Sequence, residues 1–156
     1  MHPFVKKVIR KTKNVLGLYT APDGVLILMY HRVNDDLPAH DLIVRTSDFE
    51  QQMRFFYENS QIYQMISLKE LEDNRPRVFN ARFPKTKVII TFDDGYRDNF
   101  TNAFPILRKF KLPATVFLTT GLIGTEKKFS RYEAVPGRDM LNWEEIAKMG
   151  RHRITF

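Results

Sequence analysis

The stretch Val88, Ile89, Ile90, Thr91, Phe92, Asp93, Asp94, Gly95 and Tyr96 constrains the fold of this chain more than any other. Its first five residues are apolar or β-branched without interruption, the pattern of a strand buried on both faces. Such strands belong to parallel sheets covered by helices. The run ends at two adjacent carboxylates and a glycine, the residue that permits a sharp turn. Ligands and catalytic groups of α/β folds collect at the carboxyl ends of strands. Two neighbouring acids there repel one another unless a cation or a shared proton relieves them. Asp-Asp-Gly is also ordinary turn chemistry. On its own, therefore, the stretch leaves a catalytic and a structural reading open.

The flanking sequence supplies more elements. Val25 to Tyr30 is a short apolar run that reads as a strand buried on both faces. Ser47 with Glu50 predicts a capping box opening a helix whose apolar side includes Phe49, Met53 and Phe56. Asp35 and Asp36 read as loop solvation. Ile62 to Ser67 is a second short strand, and Ser67 with Glu70 repeats the capping pattern. Residues 73–87 form a loop rich in Pro, Asn and Arg. Near 99–110 a helix contains Pro105, comfortable only in a first turn, which places the helix start at about Ala103 or Phe104. Residues 114–119 make another strand, 121–140 are polar and irregular, and Asn142 with Glu145 caps a last helix. Strands and helices alternate, which points to parallel β/α units.

A length of 156 residues suits one domain with a real core. The chain has no cysteine, which excludes disulfides and thiolate metal sites. Five of its seven excess positive charges (Lys6, Lys7, Arg10, Lys11 and Lys13) precede the first acid, Asp23. The remainder is nearly balanced, which argues against a nucleic-acid-binding face. The basic residues alternate with Val5, Val8, Ile9 and Val15, so no clean apolar stretch marks a signal peptide. A cytoplasmic and a cell-envelope location both stay open. Residues 3–16 read as a solvated arm or as a basic amphipathic helix lying on an anionic membrane surface. No stretch approaches bilayer-spanning length.

The segment around Asp93 resembles the first signature motif of the NodB-homology polysaccharide deacetylases, the fourth carbohydrate esterase family. The likeness continues through Asn99–Leu107, Leu112–Leu118 and Met140–Ile146. Upstream it takes in Leu28–Val33 and Ser47–Met53, so it covers about residues 25–156 in order. It implies an α/β fold, the N-terminal part of a distorted (β/α) barrel with parallel strands. Residues 1–20 would be a basic arm and 21–156 a truncated deacetylase domain.

The resemblance also implies a chemistry: removal of N-acetyl groups from a carbohydrate polymer of N-acetylated sugars. Amide hydrolysis at neutral pH needs an activated water and an electrophile, and a divalent metal supplies both. By resemblance Asp93 is the general base and Asp94 the carboxylate ligand of zinc, cobalt or manganese. Thr91, Phe92 and Gly95 set geometry. Tyr96 lines the substrate groove or packs, and His31 lies near the active-site end of the barrel or is structural. A haloacid-dehalogenase-like reading fails, because its Asp-x-Asp motif would need an acid where Phe92 stands.

The family's second motif, His-(Ser/Thr)-x-x-His, supplies two further metal ligands. The four histidines, His2, His31, His40 and His152, contain no pair at that spacing. His152 reads as a solvated turn residue leading into the strand that carries the motif in the family. The arginine-proline motif, the later acidic motif and the leucine-histidine motif that supplies the family's general acid are also unmatched. One carboxylate cannot hold a catalytic divalent ion, since such sites use about three protein ligands. The expectation is a deacetylase portion with little or no activity in this form, binding metal weakly. The alternative is a non-catalytic carbohydrate-binding or membrane-surface protein derived from that fold.

Overall fold

A computed structural model describes residues 25–73, 85–125 and 139–156. The basic arm, most of the 73–87 loop and much of the 121–140 stretch lie outside the described residues.

The apolar run forms β5 (Thr86–Phe92), buried at every position. From Lys87 to Phe92 it pairs in parallel with every residue of β1 (Val25–Tyr30). Lys87 and Val88 pair with β1 and also with β4 (Tyr63–Met65), so β4 lies on the edge of β5 opposite β1. Farther along that edge β5 pairs with β6 (Ala114–Val116), and β6 with β7 (Ile154–Thr155). All these pairings are parallel, as the alternation of strands and helices requires. A separate parallel pair joins β2 (Arg32–Val33) to β3 (Ile43–Val44). The helices are α1 (Thr46–Glu58), α2 (Leu68–Asp73), α3 (Phe104–Phe110) and α4 (Trp143–Gly150).

The core lies on one face of this sheet. Leu28, Tyr30, Val88, Ile90, Phe92 and Val116 pack with Phe49, Met53 and Phe56 of α1 and with Leu107 and Met149. Tyr30, Phe49 and Phe92 form an aromatic triangle with ring centroids 5.1–5.8 Å apart. Each such side chain contributes about 1.5–3 kcal/mol on burial. The Tyr30 hydroxyl donates to Gln52 Oε1 at 2.6 Å, and burial raises its pKa, so the phenol stays protonated.

The expectation that β1 is buried on both faces needs correction. Ile27 is 53% and Met29 63% exposed. Successive strand residues alternate faces, so Leu28 and Tyr30 turn to α1 while Ile27 and Met29 turn to the opposite face. There they stay largely exposed. An apolar run cannot by itself report whether its second face is occupied.

Two of the three expected capping boxes form. Ser67 Oγ accepts from the Glu70 amide at 3.0 Å while Glu70 Oε2 accepts from the Ser67 amide at 2.7 Å. Asn142 and Glu145 do the same at the start of α4. The Ser47–Glu50 box does not form, because the helix begins two residues earlier than a Ser47 cap requires, with Arg45 at the N-cap and Thr46 first in the helix. The Thr46 amide instead donates to Asp35 Oδ1 at 2.9 Å. Asp35 therefore caps α1 across the loop and is more than solvation, and Glu50 is free to pair with Arg54 and Lys109. The 99–110 helix has two parts: a π-helical turn, Asn99–Ala103, and then α3 with Pro105 in its first turn.

Candidate active site

Register brings the first groups together. Tyr30 pairs with Phe92, and Phe92 with Val116. The next residues, His31 and Asp93, thus leave adjacent parallel strands at one level, on the face that Met29 and Thr91 occupy. The Asp93 amide donates to the Tyr30 carbonyl at 2.8 Å, and the Phe117 amide to the Phe92 carbonyl at 2.8 Å, carrying the ladder past the strand ends. His31 Nε2 lies 3.9 Å from Asp93 Oδ2, with the imidazole 14% and the carboxylate 32% exposed.

After Asp93 the chain turns through two consecutive left-handed residues, Asp94 (φ 71°) and Gly95 (φ 77°). Aspartate tolerates this conformation better than most residues, and glycine adopts it freely. A Cβ on Gly95 would also meet Leu118 Cδ2 at 2.8 Å. The turn leaves Asp94 Oδ2 buried with no hydrogen-bond partner. A buried, unpaired carboxylate oxygen is costly, and strained backbone of this kind clusters at functional sites.

Residues 139–141 hold the far side of the turn. The Leu141 amide donates to the Gly95 carbonyl at 3.0 Å, and the Arg97 amide to the Asp139 carbonyl at 2.8 Å. Arg97 Nε reaches Glu145 Oε1 at 2.8 Å, and Glu145 Oε2 accepts from the Asn142 amide at 3.1 Å. This pairing and that with Asp139 raise the Arg97 pKa, keeping the guanidinium charged.

Tyr96, read as a groove or packing residue, is buried, with the Arg32 guanidinium 4.5 Å from its ring centroid. Arg32 Nε also contacts Asp98 Oδ2 at 2.7 Å, where Asn34 Nδ2 donates at 3.2 Å. Both Arg32 and Asp98 are almost fully buried. Burial pushes the Asp98 carboxyl upward, outweighing the opposite pull of Arg32 and Asn34. Asn99 Nδ2 donates to the His31 carbonyl and Asn102 Nδ2 to the Val33 carbonyl, each at 2.8 Å.

The structure thus brings His31 and Asp93 together, with Asp94 following in the turn. His40 is exposed, its Nδ1 accepting from the Leu42 amide at 3.2 Å. His152 is exposed and lies against the Phe104 ring, centroids 5.3 Å apart. Among the described residues no cluster of three His, Cys, Asp or Glu residues is placed to hold a metal ion. The orphaned Asp94 oxygen fits one ligand position. A groove lined by Ile27, Met29, Leu37, Ala39, His40 and Ile43 runs beside β1, but the acid pair does not line it.

Sequence reasoning missed Arg32, Asp98, Asn99 and Gln52, the polar groups that fix the site from behind. Arg32 and Asp98 stand 66 residues apart, and no local pattern joins them.

The fold is therefore a parallel α/β sheet whose adjacent strand ends carry an imidazole and an acid. Residues 80–155 match the family profile described as polysaccharide deacetylase. The chain is 34% identical to the protein YxkH of Bacillus subtilis (strain 168) over 140 residues, 86% of this chain and 42% of that relative. It is 30% identical over 141 residues to the poly-β-1,6-N-acetyl-D-glucosamine N-deacetylase of Staphylococcus aureus (strain MSSA476), covering 82% of this chain and 46% of the relative. The solved structure of the Streptococcus pyogenes deacetylase PplD in complex with acetate superposes with a TM-score of 0.66 at 28% identity, covering 85% of this chain and 54% of that one. The chain thus spans less than half the length of the curated relatives it matches. These matches support a NodB-like deacetylase over part of the chain, and its structural neighbours are deacetylases with the NodB (β/α) barrel fold.

Proposed function

We propose that this chain supplies the acid pair and a proton donor to a metal-dependent N-deacetylase acting on a polymer of N-acetylated sugars. The observation that carries this reading is the buried, unpartnered Asp94 Oδ2, held in a left-handed turn beside the Asp93–His31 pair. A divalent ion bound there would acidify water and polarise the amide carbonyl. Asp94 would be one of its ligands, and further ligands would come from outside the described residues. The relatives' names support the substrate class, since the Staphylococcus aureus protein is named for poly-β-1,6-N-acetyl-D-glucosamine.

Asp93, a third exposed, takes the proton of the attacking water. His31 Nε2 lies 3.9 Å from its carboxylate, which supports reading the two as a reacting pair. Amide cleavage also needs a proton on the departing nitrogen, and imidazole exchanges protons near neutral pH. We assign that donation to His31. The arrangement sets an acid and a base side by side at two strand ends.

The test is acetate release from N-acetylglucosamine oligomers, with zinc, by a form of the protein that also carries the family's histidine pair. Asp93→Asn is expected to lower the rate by about 10²-fold or more. His31→Gln is expected to lower acetate release as well, through protonation of the departing nitrogen. Full activity in Asp93→Asn would remove the base assignment. Zinc affinity unchanged by Asp94→Asn would remove the ligand assignment.

A further inference from the structure

The acid–base pair sits on a deliberate-looking support, and the support comes from a single short segment. Residues 98–102, the π-helical turn and the residue before it, make four side-chain contacts to the chain leaving β1. Asp98 Oδ2 accepts from Arg32 Nε at 2.7 Å and from Asn34 Nδ2 at 3.2 Å. Asn99 Nδ2 donates to the His31 carbonyl, and Asn102 Nδ2 to the Val33 carbonyl, both at 2.8 Å. Every residue from His31 to Asn34 is therefore gripped. The grip comes from the stretch that continues the acid turn.

The widened turn explains the geometry. Helical π segments appear mostly as single turns, often at functional sites. Here the turn Asn99–Ala103 precedes α3 and sends two asparagines, three residues apart, to carbonyls two residues apart on β1's extension. The Arg32 guanidinium lies over the Tyr96 ring as well, so one side chain ties the β1 exit to both ends of the 96–98 segment. A buried ion pair is a poor device for stability alone, because desolvation offsets the attraction. It is a good device for fixing a register.

We propose that Asp98 and Asn99 are positioning residues for the His31 imidazole. Through Arg32 and the His31 carbonyl they hold that ring against Asp93. This inference rests on the reading of His31 and Asp93 as the reacting pair, but its test requires no turnover. The two therefore fail separately.

The experiment is solution NMR on the 156-residue chain. It measures the Overhauser contact between the His31 ring and the Asp93 β protons, and the His31 side-chain rotamer from three-bond couplings. Two variants are compared with the unaltered chain. Asn99→Ala removes the donor to the His31 carbonyl. The double variant Arg32→Met with Asp98→Leu replaces the ion pair by apolar side chains of similar size, the kind of exchange that preserves stability. The expected result is loss of the ring contact and rotamer averaging at His31 in both variants, with amide dispersion in β5 and β6 retained. An unaltered ring contact and a single rotamer in both folded variants would overturn the proposal and leave Asp98 and Asn99 as purely structural.

Discussion

Leu28 and Met29 are neighbours in β1, yet Leu28 is 5% and Met29 63% exposed. The contrast belongs to the two faces of β1, at the sheet's edge, whereas β5 at its centre is buried on both. Toward the helices, Leu28, Tyr30, Ile90 and Phe92 mesh with α1 into a packed core. On the other face Ile27, Met29 and Phe117 stand open, and that face carries His31 and Asp93 at its upper rim. In β1 the packed residues take one side, and the proposed reacting pair follows the other. The same strands serve both, since alternation assigns each residue to a side.

The comparison breaks most visibly in the core. Phe49→Ala or Phe92→Ala should cost about 3–5 kcal/mol, while Met29→Ala should cost less than about 0.5 kcal/mol, both read by denaturant unfolding. Equal losses would mean that the open face is covered after all. Arg32→Met alone should cost nearly as much as the core truncations, about 3–5 kcal/mol, because it strands the buried Asp98 carboxylate. Gly95→Ala comes next, at about 1–3 kcal/mol. It forces alanine into a left-handed φ and its methyl into Leu118. Leu118→Ala should relieve only the contact, not the backbone term.

A pH series sharpens the same comparison with two carboxylates of opposite sign. Burial raises the Asp98 pKa, so the folded chain binds that proton more tightly than the unfolded chain does. Its share of stability therefore grows as pH falls through the folded pKa, and the deficit of Asp98→Asn should widen from neutral pH toward acid. The bond from the Thr46 side chain, followed by that from its amide, lowers the Asp35 pKa. Its capping contribution is present above the unfolded pKa and lost as pH falls through the folded one, so the deficit of Asp35→Ala should narrow. The smallest expected effect is at the exposed Glu144–Lys148 pair, where Lys148→Ala should leave the unfolding midpoint almost unchanged.

What the sequence made legible was local. The β5 run with its acid turn, the Ser67–Glu70 and Asn142–Glu145 caps and the start of α3 at Phe104 all depend on residues a few positions apart. The cap at Thr46 was not legible, because its acceptor lies eleven residues upstream. Nor was the openness of β1, which depends on what occupies the far face. His31 could be placed near the site by resemblance alone. Its 3.9 Å approach to Asp93 follows from the β1–β5 register, a relation between segments 62 residues apart that no window spans.

That register has a genetic consequence. A one-residue insertion or deletion between Val25 and His31, if β1 kept its pairing at Val25, would turn the imidazole to the helix side and a core residue outward. Two inserted residues would restore the face but displace the ring by about 7 Å, beyond reach of Asp93. Substitutions on the open face should thus be widely tolerated in β1 while length changes are not, a signature that a deep mutational library including indels would reveal as two unlike profiles along the same six residues.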